Sequence, residues 1–146
     1  MSMMERVTAD GTDLDQEREY HAAVKRVMVL MMLADGVIYD GEINAIYGVY
    51  EWVTGRAISE REVLEEIRDA ERSGQSVGDY VGTLKEELDD YGRALIVRAS
   101  HGIAMADGEV CAQERKLLTQ IADAVGLPRD KYREILAGLD GDRWPN

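Results

Sequence analysis

Two stretches of the sequence concentrate carboxylates at a spacing that could do chemistry. "LADGVIYDGE" occupies 33–42 and "MADGEVCAQE" occupies 105–114. Each reads Asp-Gly, five residues, then Glu, so Asp35 with Glu42 recurs 72 positions later as Asp107 with Glu114. Asp40 and Glu109 bring each stretch to three acids and no base. Carboxylates held this close repel one another unless a cation or a set of donors sits among them. Oxygen ligands of this kind suit a hard divalent ion such as Ca²⁺, Mg²⁺ or Mn²⁺.

The spacing is that of the second half of an EF-hand loop, with Asp at position 5, Gly at 6 and Glu at 12. Positions 1 and 3 would then be Met31 and Leu33, or Ile103 and Met105, which cannot bind a hard cation. These are therefore not EF-hands. Each stretch offers the Asp carboxylate, a backbone carbonyl of Val37 or Glu109, and the Glu oxygens. That is about three or four ligands, against the six to eight that Ca²⁺ takes. A cation site would be weak and hydrated, completed by a partner, or shared between the two copies. The same residues also work as helix punctuation. Asp-Gly stops one helix, Ile38 or Val110 plugs the loop into the core, and Glu42 or Glu114 at the third helical position complements the next helix dipole. Capping contributes about 0.5–2 kcal/mol, enough to retain an acid without any ligand. Capping and cation binding are compatible, and both readings stay open.

The elements that must position these acids are helical. Residues 1–16 lack periodicity and are expected to form a flexible tail. From Tyr20, apolar residues recur at three- and four-residue steps and become continuous at "VMVLMMLA", the pattern of a helix buried on most sides. A second helix carries Ile43, Ile46, Tyr47, Tyr50 and Val53 and stops at Thr54-Gly55. Ser59 with Glu62 is a capping box that opens a third helix. "SGQS" (73–76) is a loop, and a fourth helix follows it. The pattern then restarts: "RALIVRASHGIAMADG" aligns with "HAAVKRVMVLMMLADG", and "LPRDKYREIL" parallels "ISEREVLEEI". The expected fold is an all-α, single-domain bundle of about seven helices. It has two pseudo-symmetric halves, about 18–72 and 91–138, within a domain spanning 17–140, and a short tail at 141–146. Each half centres on a helix too apolar to be buried by its own unit, so the two should pack together near a pseudo-twofold axis. Ala99, Ser100, Gly102, Ala104 and Ala106 would allow close approach, with methionines of the first helix filling gaps.

Composition narrows the function classes. The chain has 146 residues, 45% hydrophobic and 32% charged, with a net charge of −12. That balance argues against nucleic acid, because nothing clusters to neutralise a run of phosphates. The N-terminus carries acids and no apolar stretch, unlike a signal peptide. The longest apolar run, 27–34, is far short of the ~20 residues a membrane span needs. No direct membrane insertion and a cytoplasmic location are expected. Cys111 is the one cysteine, which excludes an internal disulfide. His101 reads as a hydrogen-bonded core residue, His21 as an exposed one, and Met28, Met31 and Met32 as core rather than soft-metal ligands. "KEELDDYG" (85–92) reads as a solvated helix end.

A buried helix ending in Ala-Asp-Gly, then an aliphatic residue and a Glu at fixed spacing, twice in register, resembles the TerB-like family. That family includes tellurite-resistance proteins and the related domain of DjlA-type co-chaperones. The resemblance covers about residues 18–138. It implies an all-helical fold of paired halves, an acidic cluster concerned with metal ions, and a place in a bacterial metal- and chemical-stress response, with no defined catalytic reaction. By position, the acidic motif falls on Asp35, Glu42, Asp107 and Glu114, with Asp40 and Glu109 as additions. Tyr39 and Cys111 stand where the family often has a capping residue.

The expectation is a non-enzymatic module that binds a divalent cation weakly and acts as a scaffold for protein partners, among them other stress-response proteins. It would do so as a monomer or homodimer. The alternative is a pure protein-interaction bundle whose loop acids only cap helices. A carboxylate-metal hydrolase is a distant third, since neither HExxH nor Glu-x-x-His is present to serve an ion-bound water.

Overall fold

The computed structural model describes residues 2–34, 40–106 and 112–141, with side chains from residue 15 onward except at 40, 113, 114 and 139–141. Seven helices follow in order among the described residues: α1 (Ser2–Leu33), α2 (Asp40–Thr54), α3 (Glu60–Ser73), α4 (Val77–Leu84), α5 (Asp90–Met105), α6 (Ala112–Val125) and α7 (Arg129–Gly141). No strand occurs among them, so the fold is the expected all-α bundle. None of these helices is long and apolar enough to cross a membrane. Helical backbone runs through residues 2–16, the segment expected as a tail without periodicity. Its last described side chains, 15–19, are exposed.

Local chemistry explains the boundaries. Ser59 opens α3 by accepting the Glu62 amide at 3.1 Å, and its hydroxyl donates to the Glu62 carboxylate at 3.2 Å. Ser76 does the same for α4 through the Asp79 amide. Gly55 and Gly74 end α2 and α3 with φ of 74° and 66°, left-handed backbone that glycine adopts at little steric cost.

The core is built on α1 and α5, which form the most extensive helix contact. They run in the same direction. Tyr20 near the buried start of α1 touches Gly92 near the start of α5, and Met31, Met32, Ile103 and Ala104 meet around one cavity at the other end. Positions related by 72 residues therefore face each other, as a twofold axis along the pair requires. Val24, Val27, Met28 and Val29 on α1 and Ile96, Val97 and Ala99 on α5 are almost completely buried. The methionines are core residues, as expected.

The outer helices break the symmetry. α2 packs on both α1 and α5, whereas α6 packs on α5 and on α4, the helix that has no counterpart in the repeat. One expectation is corrected here. Gly102 does not serve the central pair, because a Cβ there would lie 2.8 Å from Cγ1 and 3.1 Å from Cγ2 of Val49 on α2. Gly92 is the position that lets α1 close in, since a Cβ there would lie 2.6 Å from Cε1 of Tyr20. By helical periodicity Ile96, Ala99 and Ile103 share the stripe of Gly92, while Leu95, Arg98 and Gly102 turn toward α2.

Candidate functional site

The parallel course of α1 and α5 brings the two motif copies to one end of the bundle. A small cavity of about 110 Å³ lies there. Ala34 closes it from the end of α1, Ala106 from the end of α5, and Glu42 from the first turn of α2, with Met32, Ile103 and Leu117 as apolar walls. Ala34 and Ala106 are the residues immediately before Asp35 and Asp107. Both helices after the motifs begin at the expected register, α2 at Asp40 and α6 at Ala112. Glu42 and Glu114 are each the third residue of their helix, where a carboxylate complements the positive end of the dipole. Glu42 is half-buried.

Asp35, Asp107 and Glu109 lie outside the described residues, as do Gly36, Tyr39 and Cys111. Asp40 and Glu114 lie in described helical backbone, but their side chains fall outside that description. Glu42 is therefore the candidate ligand whose placement is given. Among the described residues no group of three or more His, Cys, Asp or Glu could hold a metal ion. The donor set the sequence supplies at this end is nonetheless all oxygen, and the thioethers of Met31 and Met32 are buried in the core. That chemistry fits a hard divalent cation rather than a soft one.

The two histidines fall differently from one another. His101 is 7% exposed, its Nδ1 lies 3.0 Å from the Val97 carbonyl, and its ring centroid is 5.8 Å from that of Tyr132. It is the hydrogen-bonded core residue that the sequence suggests, and burial holds its pKa below the usual histidine value. His21, expected to be exposed, is instead half-buried with its ring edge-on to Tyr50, and desolvation lowers its pKa as well. An aromatic partner 29 positions along the chain on a different helix gives no local signal at His21.

Sequence patterning also missed a polar tie at the opposite end. The Tyr20 hydroxyl donates to Asp89 at 2.7 Å, and the same carboxylate oxygen accepts the Gly92 amide at 2.9 Å to cap α5. The Gly92 amide, followed by Tyr20, holds the Asp89 carboxyl below its ordinary range. Burial, reinforced by Asp89, pushes the Tyr20 phenol up to about 12. "KEELDDYG" is thus the α4–α5 turn, solvated at 85–87, and Asp89 in it is a cap. The available signal was the repeat itself, because Tyr20 and Gly92 are equivalent positions.

No curated protein and no solved structure matches this chain. A family profile described as "Tellurite resistance protein TerB" matches residues 21–137, which begins just after Tyr20 and ends within α7. With the paired apolar helices and the repeated motif that match spans, the chain belongs to the TerB family.

Proposed function

We propose that this chain is a non-enzymatic TerB-family module whose two Asp-Gly-x5-Glu motifs together hold a weakly bound divalent cation, and that it scaffolds protein partners in a bacterial stress response. One observation carries this reading. Ala34 and Ala106, each one residue before a motif aspartate, line the same small cavity as Glu42. Neither motif alone supplies enough oxygen ligands for Ca²⁺, so two motifs delivered to one end of the bundle support a shared site. Asp35, Glu42, Asp107 and Glu114 would be its ligands, with Asp40 and Glu109 adding charge around it. Ca²⁺, Mg²⁺ and Mn²⁺ all fit carboxylate donors, and water would complete the coordination.

The test compares thermal unfolding of the wild type and Asp107→Asn, each with CaCl₂ or MnCl₂ and with KCl at matched ionic strength. A ligand that binds only the native state stabilises by RT ln(1 + [L]/Kd), which is about 2.7 kcal/mol for ~10 mM ion and a Kd near ~10⁻⁴ M. The divalent ion should raise the wild-type Tm well beyond KCl, and Asp107→Asn should lose most of that rise. If the acids only cap helices, Asn serves as well as Asp and K⁺ reproduces the shift. Equal shifts in all four samples would end the cation reading.

A further inference from the structure

We propose that the groove between α1 and α4 is a docking site for a basic amphipathic helix of a partner protein. The groove encloses about 470 Å³. Its floor is apolar and partly of small residues: Ala22 and Ala23 from α1, Leu84 and Leu88 from α4 and the turn after it. Its two sides each carry a carboxylate, Glu19 on α1 and Glu87 across from it, and no cationic side chain lines it. Paired carboxylates over a low-dielectric floor focus a negative potential into the groove.

The cations nearest by position are committed elsewhere. Arg26 pairs with Glu66 and lies over the ring of Tyr80, 5.7 Å from its centroid. Arg93 pairs with Asp90 at 3.0 Å and donates to the Lys85 carbonyl at 2.7 Å. The Lys85 stem lies against Gly126. The acidic wall continues outward along α1, because exposed Asp15 stands one helical turn before Glu19. An apolar partner would leave Glu19 and Glu87 desolvated without compensation, which is costly. Anionic lipid and nucleic acid are repelled by the same charges. A helix with Lys or Arg along both edges of a small apolar stripe satisfies walls and floor together, and Ala22 and Ala23 let its backbone come close. This surface is separate from the motif end of the bundle, so the proposal stands independently of cation binding.

The probe is a fluorescein-labelled synthetic helix of about 18 residues with an Ala/Leu stripe flanked by lysines, its binding read by anisotropy at physiological salt. Its comparison is a scrambled peptide of the same composition without the stripe. The protein forms are wild type, Glu19→Lys/Glu87→Lys, Ala22→Trp to fill the groove, and Glu60→Lys/Glu65→Lys on α3 as a control with the same change in net charge. Circular dichroism confirms that each is folded. The groove charge reversal and Ala22→Trp should each weaken binding at least about tenfold, and the α3 control less than about twofold, since rim charges distant from the contact act only through the long-range field. Absent binding, equal losses in the two charge-reversed forms, an unaffected Ala22→Trp, or equal affinity for the scrambled peptide would each overturn the proposal.

Discussion

Arg26 and Arg98 hold the same place in the repeat, on α1 and α5, yet they serve different contacts. Arg26 reaches α3, where it pairs with Glu66 in a partly shielded setting, the side chains being 21% and 14% exposed. Arg98 turns to α2 and lies 4.9 Å from the centroid of the Trp52 ring. The difference follows from what each central helix is given as a neighbour. α1 has α4 beside it, so its arginine is framed by α3 and by Tyr80 of α4. α5 has α2 across it, which supplies an aromatic face instead. The repeat thus preserved the course of the buried helices and the register of the loops, while the inserted α4 redistributed the side-to-side packing.

The largest expected effect tests that redistribution directly. Gly102→Leu should destabilise by about 1–3 kcal/mol, because added methylenes in a filled contact force backbone shifts. The cause is Val49, not the central pair, and a second variant separates the two. Gly102→Ala already places a Cβ 2.8 Å from Val49 Cγ1, so Val49→Ala in that background should recover part of the loss. Strict additivity in urea unfolding would mean that α5 does not meet α2 at this point. The equivalent residue of α1 is Leu30, buried where no glycine is required, which is the same asymmetry seen from the other half.

The arginines come next. Arg26→Ala removes a charged partner and leaves Glu66 part-buried without it, a cost of about 1.5–3 kcal/mol. Arg98→Ala gives up a cation–π contact worth about 0.5–1 kcal/mol at a partly exposed site. Unfolding free energies measured side by side should therefore differ, with Arg26 the more costly. Equal losses would show that the repeat treats the two positions alike and that α4 changes nothing at Arg26.

Much of this architecture was legible in the sequence, for local reasons. The Ser59–Glu62 box, the stops at Gly55 and Gly74 and the apolar periodicities are short-range signals, and each marked a real boundary. The 72-residue offset predicted that α1 and α5 pair, and it locates both motifs at corresponding helix ends. The direction of each face was not legible. α5 is apolar around most of its circumference, so periodicity could not say that Gly102 meets α2 while Gly92 meets α1. Tyr20–Asp89 and His21–Tyr50 join residues far apart in sequence, where propensity carries no information. At the candidate site the motif's types and spacing are plain, and Glu42 lines the expected end. The placement of Asp35 and Asp107 lies outside the described residues.

The smallest effect is a slope with pH, and it sharpens one more difference between the halves. His101 of α5 stands where α1 has Val29. Desolvation lowers the pKa of the buried imidazole, with only the Val97 carbonyl favouring the charged form. The unfolded chain therefore binds a proton more readily, at the ordinary value near ~6.5. Below that pH the unfolded state takes up protons that the native state refuses, so stability falls as pH falls and is fully regained above it. His21, lowered in the same direction, adds to the slope. Carboxylates titrate near ~4, outside this window. His101→Leu keeps the site apolar, as Val29 does in the first half, and leaves no orphan acceptor, because the Val97 carbonyl also accepts the helical amide of residue 101. Urea midpoints between about pH 7.5 and 5.5 should fall in the wild type and fall less steeply in His101→Leu, the remainder belonging to His21. Parallel slopes would mean that His101 takes up its proton as freely in the folded protein as in the unfolded chain, contrary to its burial between α5 and Tyr132.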